Sequence, residues 1–100
     1  MKVFLYDTNL ILSSRIKSQL RNLNAELVKK EDVGKDTVAL INLEAPKALE
    51  LIKELKEKGA KVIGYCGHKN LTLIEEAKKL GVDEVVPNSS VAGDLKTLLG

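Results

Sequence analysis

Two hydrophobic periods take turns along this chain. Short β-rich runs, Lys2-Val-Phe-Leu-Tyr6, Ala25-Glu-Leu-Val28, Thr37-Val-Ala-Leu-Ile41, Lys61-Val-Ile-Gly-Tyr65 and Glu84-Val-Val86, are separated by stretches of helical period. This alternation predicts a parallel sheet with crossover helices. Leu12, Ile16, Leu20 and Leu23 make one apolar stripe on a first helix, with Thr8 or Asn9 as its N-cap. Ala48, Leu49, Ile52 and Leu55 make the buried face of the next, with Pro46 in its first turn and Gly59 after its end. Leu71, Ile74, Ala77 and Leu80 give a third, whose Glu75-Glu76 and Lys78-Lys79 complement the helix dipole and whose stop is Gly81. Val91, Leu95, Leu98 and Leu99 predict a short last helix capped by Ser89 or Ser90.

One connection breaks the pattern. Only Lys29 to Asp36 lies between the second and third strands, and a parallel crossover through a helix takes about a dozen residues or more. The helix expected there is missing or reduced to one turn, which leaves one sheet face incompletely covered. Either that face is a surface for self-association or a partner, or long side chains from the loop and the neighbouring helix cover it.

With 100 residues, 44% hydrophobic and 30% charged, the chain is expected to be one soluble globular domain with a single core. Sixteen basic against 14 acidic residues give a net charge of +2, which calls for neither nucleic acid nor a membrane as an obligate partner. No run approaches the roughly 20 apolar residues of a membrane span, and with no leader pattern the expected location is cytoplasmic. One cysteine excludes an internal disulfide, and with a single histidine it makes a poor metal set. Gln19 is the only glutamine in a Lys- and Glu-rich chain, a composition that points to a thermophilic host.

The chemistry-bearing residues gather where the strands end. The first strand delivers Asp7-Thr8-Asn9, the third Asn42, the fourth Cys66-Gly67-His68 and the last Pro87-Asn88-Ser89. In an open parallel sheet these carboxyl ends form the ligand crevice. Asp7 reads either as a remnant metal ligand or as an acceptor for backbone N–H groups of the next loop. Asn42 reads either as a ligand contact or as a turn residue bonding its own loop, the usual task of Asn. Cys66 near His68 suggests a nucleophile and base, but a Cys closing a buried strand is usually a packing residue, and a reactive one needs an electropositive site. Asn88-Ser89-Ser90 reads as an anion cradle or as plain helix capping. Arg15, Lys17 and Arg21, with no acid between Thr8 and Ala25, read as a solvated face or as a weak nucleic-acid stripe.

The order of elements, the opening VFLYDTNLILSSRIKSQL and the segments VALINLEAP and GVDEVV resemble a receiver domain of bacterial response regulators. The resemblance spans nearly the whole chain except the second helix. It implies the flavodoxin-like three-layer α/β/α fold with sheet order 2-1-3-4-5. It places Asp7 at the first of two adjacent acidic positions and Thr8 at the second. Asn42, four residues before Pro46, stands at the phospho-accepting aspartate, Cys66 at the Thr or Ser position, and Asn88 at the lysine. Magnesium wants hard oxygen ligands that include carboxylates, an amide cannot form an acyl phosphate, and the loss of the lysine removes a phosphate-pairing cation.

The resemblance therefore implies a pseudo-receiver, a non-enzymatic module with no cofactor, acting on a protein partner or on a second copy as a homodimer. In receivers the last strand and its flanking helices form the output surface, here Leu71 to Leu99. The competing reading is a small-ligand or enzymatic domain using the crevice of Asp7, Asn42, Cys66, His68, Asn88 and Ser89.

Overall fold

The computed structural model describes residues 1–67 and 69–100; His68, named above with the crevice, lies outside the described residues. Five strands, β1 (Lys2–Tyr6), β2 (Glu26–Leu27), β3 (Thr37–Asn42), β4 (Lys61–Cys66) and β5 (Glu84–Pro87), form one all-parallel sheet in the order β2-β1-β3-β4-β5. This is the flavodoxin-like order. The helices are α1 (Leu10–Asn22), α2 (Ala48–Glu57), α3 (Leu71–Lys79), α4 (Asn88–Gly93) and α5 (Leu95–Leu99).

The apolar periods fix which face each element covers. On one face α1 lays Leu12, Ile16 and Leu20 against Val3, Leu40, Ile63 and Tyr65, and Val91 and Leu95 of α4 and α5 complete that core. On the other face α2 and α3 bring Ile52, Leu55 and Ala77 onto Ala39, Ile41 and Val62. Strands buried on both faces read as near-continuous apolar runs, as β3 and β4 do: all of Ala39 to Leu43 and Val62 to Cys66 is buried. Gly64 belongs to that packing. A Cβ there would sit 2.7 Å from a methyl of Leu43, so the glycine gives Leu43 its place against β4 and any larger residue would make that side chain shift.

Several local expectations change. Pro46 lies outside the helix it was expected to open: α2 begins at Ala48, and Lys47 precedes it in the left-handed region, at φ 61°. Ser89 and Ser90 do not cap the last helix but lie within α4, which starts at Asn88 after an extended Pro87. The last helix is two helices, because Asp94 (φ −141°) breaks the run. Gln19 of α1 holds that break, its amide donating to Val91 O at 2.7 Å and its carbonyl accepting from Leu95 N at 3.0 Å. Asn9 is the cap of α1, accepting from Leu12 N at 3.0 Å. Gly59 and Gly81 follow α2 and α3 with φ of 87° and 88°, the conformation a helix stop requires.

The short crossover contains a single 3-10 turn, Lys30–Asp32. It buries Val33 against the core and is tied to α2 by the Lys30–Glu54 ion pair at 3.0 Å and by Lys58 Nζ donating to Lys30 O at 2.7 Å. The carboxyl half of the same face stays open. Phe4, Tyr6 and Leu51 are only half-buried and line a groove of about 390 Å³.

Candidate functional site

The sheet register assembles the crevice. Tyr6 lies beside Ile41, and Asn42 beside Tyr65. The residue after Tyr6, Asp7, therefore meets Asn42, and the row Asp7, Asn42, Tyr65 runs across three adjacent strands. Side chains along such a row point to one face of the sheet, while the next residue of each strand points to the other.

Within the row, Asp7 is the common acceptor. Its Oδ1 takes the backbone N–H of Asn9 at 2.7 Å and the amide of Asn42 at 2.9 Å. Its Oδ2 takes the hydroxyl of Tyr65 at 2.8 Å. The other end of Asn42 is also used: Oδ1 accepts from Glu44 N at 2.9 Å. Glu44 in turn reaches across the crevice, its Oε1 accepting from Gly67 N at 3.1 Å. The Tyr65 ring is fully buried. Burial, reinforced by the hydrogen bond to Asp7 and by its charge, pushes the phenol far above its ordinary pKa and keeps it a neutral donor.

Cys66 stands apart, for the reason alternation gives. One residue beyond Tyr65, it faces the opposite side and packs in the core with α2 and α3. Burial first, and then the negative charge of Glu44, push its thiol pKa up. That is the reverse of what an activated nucleophile needs. Thr8 is exposed. Asn88 is also separate, with Ser89, in a shallow groove against Asn9, Ile11 and Arg15. Its Oδ1 is buried without a partner among the described residues.

Of the residues singled out from the sequence, the structure thus joins Asp7 to Asn42 and leaves Cys66, Asn88 and Ser89 outside that cluster. The sequence reading missed Tyr65 and Glu44. A buried tyrosine must find a partner for its hydroxyl, and one near a strand's carboxyl end has the crevice within reach; that was the available signal.

The resemblance to receivers implies a magnesium ion at this place, and these residues do not fit one. Magnesium needs several oxygen ligands in near-octahedral array. Asp7 is the one carboxylate in the row, and both of its oxygens already accept hydrogen bonds from within the protein. No cluster of three or more His, Cys, Asp or Glu able to hold a metal exists among the described residues.

Comparison with known proteins bears on the fold. The chain is similar to the response regulator receiver domain from Rhodospirillum rubrum (TM-score 0.75, 12% identity, 100% of this chain and 96% of that one). It is also similar to a response regulator from Thermotoga maritima (TM-score 0.70, 17% identity, 98% and 96%). A CheY-like receiver domain from Methanospirillum hungatei matches as well (TM-score 0.72, 16% identity, 98% and 92%). No family model matches the chain, and no curated protein matches it significantly. At these identities the likeness establishes the receiver fold. None of the helices among the described residues is long and apolar enough to cross a membrane.

Proposed function

We propose that this chain is a pseudo-receiver: it keeps the receiver scaffold, does not undergo aspartyl phosphorylation, and works through protein contacts. The observation that carries this reading is the internal network on Asp7, whose two oxygens accept from Asn9, Asn42 and Tyr65. A phosphorylatable site needs a free carboxylate nucleophile beside a metal. Here the acceptor position is Asn42, and its amide is bonded at both ends. A small ligand bound directly at Asp7 and Asn42 would have to displace this network, and the raised Cys66 thiol argues against nucleophilic chemistry there. A fold without that chemistry still has surfaces to offer, the half-covered face beside β1 among them.

The test is exposure to a small acyl phosphate donor with magnesium, read by intact mass. The unmodified mass is expected. A phosphorylated species lost on acid or hydroxylamine treatment overturns the reading.

A further inference from the structure

A parallel sheet carries helices on both faces, and here one crossover has only a single 3-10 turn. The groove this leaves beside β1 has a floor of Phe4, Tyr6 and Leu51, all half-buried. The groove is preformed. The Tyr6 hydroxyl donates to Pro46 O, which pins the ring at the carboxyl end. The Lys30–Glu54 ion pair, at 3.0 Å, stands at the other end. Phe4 and Tyr6 point to the same face of β1, about 7 Å apart along the strand. That is a little more than one helical turn of about 5.4 Å, so side chains three or four apart on a helix match it. The strand itself has β2 on one side and β3 on the other. An extended peptide therefore finds no free backbone edge at the floor, whereas a helix arrives with its backbone bonds already made.

We propose that this groove binds an amphipathic helix of a partner protein, lying where the crossover helix would lie. This rests on the reading of the chain as an interaction module and names the chemistry of its partner. The helix that fits presents two apolar residues about one turn apart to Phe4, Tyr6 and Leu51. It runs against the strand direction, alongside α2, with its first turn at the Lys47 end. The rim sets its charges. Lys47 directly precedes α2 and Glu50 lies in the first turn of α2. Both line the groove, both are exposed, and neither has an ion-pair partner among the described residues. An acidic residue in the first turn of the bound helix meets Lys47 and also suits that helix's own N-terminus. A basic residue three or four positions later meets Glu50.

Amide-resolved NMR on the intact chain tests this with three helix-forming peptides of about 15 residues. The first carries leucines four apart, flanked by glutamate and then lysine. The second exchanges the glutamate and the lysine. The third has the composition of the first with its leucines scattered around the helix. The first is expected to give saturable shifts at Phe4, Tyr6 and Leu51. The second should bind about tenfold more weakly through like-charge contact, and the third should not bind. Combining Lys47→Glu with Glu50→Lys should reverse the order of the first two. No saturable shift at millimolar peptide, equal binding of all three, or an order unchanged by the double variant overturns the inference. So does movement of the same amides with protein concentration alone, which assigns the groove to a second copy. None of these results depends on phosphorylation, so the mass measurement judges the pseudo-receiver reading separately.

Discussion

The two faces of the sheet are covered to different degrees, and the difference separates what stabilises this fold from what it offers to a partner. On the α1 face, the middle of the sheet is closed, with Val3, Leu40, Ile63 and Tyr65 fully buried. Ile16, Leu20, Val91 and Leu95 are essentially inaccessible, and Gln19 bridges to the broken C-terminal helix. On the α2 face the core is equally tight around Ile52 and Leu55, but it stops short over β1, where one 3-10 turn replaces a helix. Two kinds of coverage thus lie back to back on one strand: Val3 fully buried on one side, Phe4 half-buried on the other.

Paired truncations test that contrast most strongly. Leu20→Ala on the closed face should cost about 2–5 kcal/mol, the range for a fully buried leucine. Leu51→Ala at the open groove should cost roughly half of that or less, because the half-buried leucine gives up less apolar contact. Urea denaturation measures both. Equal losses would mean that the groove is filled and that the two faces do not differ.

Tyr65→Phe probes the place where the closed face reaches the crevice. Removing the hydroxyl leaves Asp7 Oδ2 without its donor at a cost of about 1–3 kcal/mol. The variant should also change the alkaline limb of the stability curve. The folded phenol titrates well above its ordinary value of 10.0, whereas the unfolded one ionises there. The stabilisation from Tyr65 is therefore complete below about pH 10 and is lost as pH rises. Wild type should lose stability more steeply than Tyr65→Phe above that pH. Parallel curves would deny the burial and the bond.

The smallest expected effect lies at the turn into β5. Burial alone pushes the Asp83 carboxyl up, but the hydrogen bonds from Lys56 Nζ at 2.8 Å and Val62 N at 2.7 Å outweigh it and hold the pKa below the usual range. Its contribution is present above the unfolded value of about 3.9 and is lost as pH falls through the folded one. Asp83→Asn should flatten the acid limb slightly, and an unchanged acid limb would contradict the bonding.

The sequence made the architecture legible because period and length act locally. Alternation and apolar stripes marked the strands and helices, and Lys29 to Asp36 was visibly too short for a crossover helix. What stayed hidden depended on contacts distant in sequence. Lys47 takes the left-handed turn ahead of α2, which no local rule assigns to lysine, and so Pro46 falls outside the helix. The break at Asp94 is held by Gln19, 75 residues earlier in the chain. The crevice was legible as a set of positions but not as a network. Joining Asp7 to Tyr65 requires the register of three strands, and the same register turns Cys66 away to the opposite core.

The central claim is that internal hydrogen bonds close the crevice around Asp7. Its most direct test is an amide-resolved NMR titration with magnesium and beryllofluoride, a mimic of a bound phosphoryl group. The account predicts that the amides of Asn9, Asn42, Glu44 and Gly67 do not shift. Saturable shifts at those positions would contradict it.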